Sequence, residues 1–207
     1  DHVYEIGRCF RNEGISIKHN PEFTSIEAYH AYMDYNDIMT LVENVVQHVV
    51  KKIHGTTKIK FGKHEIDFTG PWRRASMNDL VKDATNVDFL TFETAEEARK
   101  AATDLGVSTP PTHNWGQVLE AVFEEKVEAS LIQPTHVIDS PLDISPLAKV
   151  HRDNPRLVER FETFVNGWEI ANAFSELNDP LVQLSRFKDQ VAAREAGDEE
   201  AQMLDDD

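Results

Sequence analysis

Arg11 and Glu13 stand two residues apart, a spacing that puts both side chains on one face if the segment is a strand. Phe23, Glu27 and Tyr29 share parity in the next candidate strand. A carboxylate and a phenol between bulky strand residues are odd choices for a packed face, where Val, Ile or Leu would be usual. The pattern returns late in the chain. There Asn172, Phe174 and Glu176 alternate, preceded by Glu169, with Glu162 on a neighbouring candidate strand. A buried charge needs a partner, a metal or a ligand. If the two faces meet in one cleft, it sets Glu27, Glu162, Glu169 and Glu176 against Arg11. Such a cleft asks for a cationic ligand and a metal, with an anion held by the arginine. Phe23 to Glu27 spans about 13 Å at roughly 3.3 Å per strand residue. That suits an elongated ligand with an aromatic base at one end and an amine near the other.

Each of these residues also has a plainer reading. Arg11 and Glu13 could form a surface ion pair worth about 0.5 kcal/mol. Phe23 could be core packing, and Tyr29 a core tyrosine with a bonded hydroxyl. The glutamates could face solvent, the common fate of that residue, and His19 could be a surface loop histidine.

The elements that must carry these groups follow from pattern. Val3 to Asn12 and Glu22 to Tyr32 read as two strands around a loop holding Gly14, Asn20 and Pro21, a long antiparallel hairpin. Asn36 can cap a helix running to about His54, stopped by Gly55, with Ile38, Leu41, Val42, Val45, Val49 and Ile53 as its apolar stripe. Lys58 to Phe68 alternates around Gly62-Lys63 as a small hairpin. Ser76 with Asp79, and Thr94 with Glu97, have the spacing of capping pairs. A further helix is expected over about 115–131, and the stretch from about 88 to 133 reads as a helical insertion. Thereafter 134–138, 160–165 and 168–177 read as strands, separated by an irregular loop at 140–155. Asp179-Pro180 opens a last helix with Leu181, Leu184, Phe187 and Val191 inward. Strands in hairpins with helices between them predict an α+β fold on an antiparallel sheet.

Composition narrows the classes. No apolar run reaches the roughly 18 residues of a membrane helix, and the charged opening DHVYEIGRCF is not a signal peptide. The single cysteine, Cys9, excludes an internal disulfide and is not marked as a nucleophile. These features predict a cytoplasmic protein with no membrane partner. The net charge of −16 opposes non-specific binding to a phosphate backbone, so no DNA partner is expected. Part of the excess lies in 198–207, six carboxylates without a base, expected to be a solvated connector. The nine histidines show no HExxH or other zinc spacing, so no zinc is expected, and neither GxGxxG nor GxxxxGK[ST] occurs.

At this point the motifs resemble a known family. Gly7 to Glu13, the loop through His19, and Asn20-Pro21-Glu22-Phe23-Thr24 look like motif 2 of class II aminoacyl-tRNA synthetases, spanning about 5–32. The wording FRNEGISIKHNPEFTSIEAYHAYMDY is similar to lysyl-tRNA synthetases, as are NGWEIANAFSELND at 166–179 and SPLAK at 145–149. The likeness runs over essentially the whole chain.

The resemblance implies a partial catalytic domain that activates L-lysine with ATP and loads it onto tRNA(Lys), using Mg2+. Arg11 would hold the α-phosphate and the substrate carboxylate. Glu13 and Asn20 would contact the adenine end, Phe23 would stack on the ring, and His19 would approach the outer phosphates. Glu162 and Glu169 would hold magnesium, on strands at about 160–178. Glu27 would take the α-amino group of lysine. Tyr29 and Glu176 would take its ε-ammonium, with Asn172 and Phe174 shaping the pocket. The family's motif 1, Gly-rich motif 3 and anticodon-binding OB-fold do not occur in the 207 residues. The chain, which begins at Asp1 and ends at Asp207, is therefore expected to be an internal piece, weak or dead alone, of a parent that is a homodimer. Trp168 stands where many relatives have a basic residue, and Ala171 and Ala173 where some have glycine. Being opposite in parity to Glu169, Trp168 is expected to face away from it. Two other readings stay open: a paralogue that lysylates a protein translation factor, and a non-catalytic regulator binding lysine or a nucleotide.

Overall fold

A computed structural model describes residues 1–12, 14–16 and 19–195. Glu13 and the acidic run at 198–207 lie outside the described residues.

The first element is the expected hairpin. Strands β1 (His2–Phe10) and β2 (Glu22–His30) pair antiparallel, with Cys9 opposite Phe23 and Glu5 opposite Glu27. They form a two-stranded sheet of their own.

Helix α1 (Tyr35–His54) follows, and its cap corrects the expectation of Asn36. Asp34 is the N-cap: its carboxylate accepts from the backbone N–H of Asn36 and Asp37, and the Asp37 side chain accepts from the Asp34 N–H. Asp and Asn cap almost equally well, so composition alone does not rank two candidates two residues apart. Gly55 ends the helix in the left-handed region at φ 74°, which a glycine adopts without a Cβ penalty. The buried stripe also shifts. Tyr35, Met39 and Glu43 are buried, with Ile38, Val42, Val46 and Val50 partly so, whereas Val45, Val49 and Ile53 are exposed. The helix is apolar over more than its contact arc, so periodicity found the helix but not its inner edge.

Strands β3 (Lys58–Phe61) and β4 (His64–Asp67) make the small hairpin anticipated around Gly62. A strand not anticipated, β5 (Arg73–Ser76), runs parallel to β6 (Thr135–Ile138). The main sheet is completed by β7 (Arg160–Val165) and β8 (Trp168–Phe174), both antiparallel, in the order β5-β6-β7-β8. The α+β class holds, but this sheet is mixed. The sequence RRAS of β5 is short and polar, and its pairing partner lies some sixty residues away, so no local pattern marks it.

Two capping pairs are realised. Ser76 caps α2 (Met77–Thr85), and Thr94 with Glu97 forms a full capping box on α3 (Ala95–Asp104). Helix α4 (Trp115–Lys126) ends short of Leu131 and gives way to a 3-10 turn at Glu128–Ser130. These helices build the largest core: Leu80, Val81, Phe89, Ala98, Val118, Leu119, Val122 and Phe123 pack against Val137 and Phe164 of the sheet. On the opposite face Tyr35 and Met39 of α1 pack against Phe161, and Ile66, Phe68 and Trp72 join Val165. The last helix, α5 (Pro180–Glu195), departs from its expected stripe: Leu181 and Leu184 are exposed. Its anchor is polar, with Arg186 donating to the carbonyls of Pro146 and Ala148.

Candidate active site

Alternation on β7 sends Phe161, Thr163 and Val165 toward α1, and Arg160, Glu162 and Phe164 toward α4. On β8, strict alternation would set Glu169 and Asn172 on opposite faces. A register shift between Thr163 and Phe164 changes this: Asn172 pairs with Glu162 and Glu169 pairs with Phe164, so both reach the α4 side. A β-bulge re-aims side chains in this way.

Two cavities of about 400 Å³ each lie on that side and share Glu120 in their walls. One holds Glu162, Glu169, His19 and Trp168, together with Glu124 and Glu128 of the α4 segment. Trp168 borders the same cavity, but it pairs with Val165, which faces α1, and its ring meets Phe61 of β3 edge-on at 6.3 Å. The other is lined by Asn172 and Phe174, by Arg160, by Ser145 to Ala148, and by Phe187 of α5.

The acidic cavity strains against its own charge. Burial first and then the Glu162 charge raise the Glu169 carboxyl to about 7, against the pull of Arg160 and Arg11. Glu162 is likewise raised by burial, opposed by Arg160. Two crowded carboxylates held above their ordinary range suit a divalent cation, and hard oxygen donors suit magnesium, which takes one or two carboxylates and leaves its other positions to water and phosphate. Among the described residues there is no preformed group of three or more metal-ligating side chains, so such an ion would rest on this pair and on its substrate.

The hairpin reaches the same cavity. Arg11 lies just beyond β1, its N–H donating to the Pro21 carbonyl at 3.0 Å. Its guanidinium carbon sits 5.3 Å from the centre of the Phe23 ring, a cation–π distance. His19 Nδ1 lies 3.1 Å from Ser16 Oγ, and the Asn20 side chain donates to the Glu22 carbonyl at 2.7 Å.

Tyr29 donates to Glu27 Oε2 at 3.3 Å. Its phenol is raised chiefly by the Glu27 charge, then by burial and the hydrogen bond, with Glu176 and Glu5 adding. Glu27 and Glu176, 149 positions apart, thus act on one hydroxyl. Tyr29 is 57% exposed, so this end of the site is open. Glu176 is exposed as well, its backbone bridging to Ala148.

Sequence reading missed four residues here. Glu120, Glu124 and Glu128 recur every four positions, a carboxylate stripe that helical spacing could have revealed. Arg160 shares parity with Glu162, which was its only local signal.

The family model described as tRNA synthetases class II (D, K and N) matches residues 1–206. A lysine–tRNA ligase of Sinorhizobium medicae is 55% identical over 207 residues, all of this chain and 42% of that protein. Those of Trichormus variabilis and Clostridium acetobutylicum are 54% and 53% identical over 99% of this chain, which covers 37% and 40% of their lengths. The chain thus spans about two fifths of the curated relatives it matches.

Proposed function

Because this chain belongs to the class II tRNA synthetases (D, K and N), we propose that it is the catalytic-domain portion of an enzyme that activates L-lysine with ATP and transfers it to tRNA(Lys). The observation that carries the reading is the convergence of two distant stretches of the chain. Arg11 and Phe23 come from the hairpin, Glu162 and Glu169 from β7 and β8, and Glu27 and Glu176 both act on Tyr29. The names of the similar ligases support the choice of lysine.

In this reading Phe23 stacks on adenine, with Glu13 and Asn20 at its edge. Arg11 holds the α-phosphate beside the lysine carboxylate and stabilises charge as the carboxylate attacks phosphorus and pyrophosphate leaves. His19 approaches the outer phosphates. Glu162 and Glu169 hold magnesium, which when bound neutralises the phosphate charge. Glu27 receives the α-amino group, Tyr29 and Glu176 the ε-ammonium, and Asn172 and Phe174 bound the pocket. No protein nucleophile takes part; alignment of the two substrates supplies the rate. Adenylate formed here then passes its lysyl group to the terminal ribose of tRNA. The complete protein works in the cytoplasm as a homodimer. Among the described residues no helix is long and apolar enough to cross a membrane.

The test uses the complete protein. Glu176→Gln removes the charge that answers the ε-ammonium, so lysine-dependent ATP–pyrophosphate exchange should fall by about a hundredfold or more while ATP binding holds. Exchange at the parental rate would refute the pocket assignment.

A further inference from the structure

Arg160 stands between the two cavities. It lines the one that contains Asn172 and Phe174, and its guanidinium grips Glu162, which lines the other. Its Nε donates to Asn172 Oδ1 at 3.1 Å, one terminal nitrogen donates to Ser145 Oγ at 2.7 Å, and the second bonds Glu162 Oε1. The three acceptors belong to three pieces of chain: β8, the loop before β7, and β7 itself. Arg160 and Glu162 each retain about a sixth of their side-chain exposure, so water competes little for the bond between them.

A guanidinium presents its donors in one rigid plane, so three acceptors in different directions fix that plane and are fixed by it. Glu162 is held by one carboxylate oxygen. The Asn172 amide has its oxygen committed to Arg160, which turns its NH2 elsewhere. An ammonium has no such plane and cannot serve Nε and both terminal positions together. Orientation of ligand-holding groups by a second rank of hydrogen bonds is a general feature of metal and substrate sites.

We propose that Arg160 is a positioning residue that ties the phosphate-side carboxylate Glu162 to the amino-acid-side amide Asn172, setting the two halves of the site in register. This deepens the reading above and rests on it. Its charge serves Glu162, and its planar geometry serves Asn172 and Ser145. The two contributions are separable by substitution, because Arg160→Lys keeps the first and loses the second, whereas Arg160→Gln loses both.

The experiment is steady-state lysine-dependent ATP–pyrophosphate exchange by the complete protein, varying lysine and Mg·ATP separately, with thermal melting of each variant as a control. Arg160→Lys should raise the KM for lysine about tenfold and leave that for Mg·ATP within about twofold, the scale of one lost hydrogen bond to a charged group. Arg160→Gln should raise both. Ser145→Ala, which leaves the charge and the strand pairing in place, should raise the lysine KM about threefold and spare Mg·ATP. The proposal is overturned if Lys and Gln variants behave alike in both constants, if Arg160→Lys restores the lysine KM, or if Ser145→Ala leaves it unchanged. Should the parental protein show no lysine-dependent exchange at all, the functional reading itself fails, a result distinct from any of these.

Discussion

Lowering the pH should loosen α1 from the sheet through one buried imidazole. His136 on β6 is fully buried, its Nδ1 2.8 Å from Thr163 Oγ1 and its Nε2 3.3 Å from Glu43 Oε1 of α1. Trp72 lies tilted over the ring at 5.4 Å, Phe161 meets it edge-on, and Arg74 binds the same Glu43 at 3.5 Å. Burial pushes His136 from 6.5 down to about 4; Glu43 opposes the shift and Arg74 reinforces it. In the unfolded chain the imidazole protonates near 6.5, so between that pH and about 4 the unfolded state binds the extra proton. The stability this provides is complete above pH 6.5 and drains away as pH falls toward 4. Between pH 7.5 and 5.0 the loss is about 2 kcal/mol. His136→Gln keeps an amide for Glu43 but does not titrate. Urea denaturation of both forms at the two pH values, with the pH-dependent losses subtracted, isolates the imidazole from the other carboxylates. The parental chain should lose about 2 kcal/mol more than the variant. Equal losses would refute the reasoning, because they would mean that His136 protonates alike in both states.

Two stability predictions accompany it. Phe161 is fully buried between α1 and the sheet, so Phe161→Ala should cost about 4 kcal/mol in urea denaturation; a loss under about 1 kcal/mol would mean the site collapses around the gap. Arg152 bridges the N-cap Asp34 and the buried Glu159. Burial works against the Glu159 carboxylate, but the bonds from Arg152 overcome it and hold its pKa below the usual range. Arg152→Met leaves that charge without its main partner and should lower stability at pH 7. The deficit should shrink in acid as Glu159 protonates, and a constant deficit across pH would tell against this account.

What was legible beforehand was local. Ser and Thr followed three residues on by an acceptor mark helix starts because the cap is made within one turn, and Ser76 and Thr94 were read correctly on that basis. The hairpin of β1 and β2 was legible because a turn-rich loop joins two alternating runs. Family motifs carried the site residues as far as letters can. Other features depended on partners remote in sequence. The face that Glu169 takes was decided by a bulge in pairing with β7, which no alternation rule contains. Arg160 gains its part from acceptors at 145 and 172, and Glu43 is buried in an apolar helix face only because His136 and Arg74 lie opposite it. A helix or strand signals itself through neighbours one to four positions away. The cost of burying a charge is met by whichever group the fold brings to it, and that group can come from anywhere in the chain.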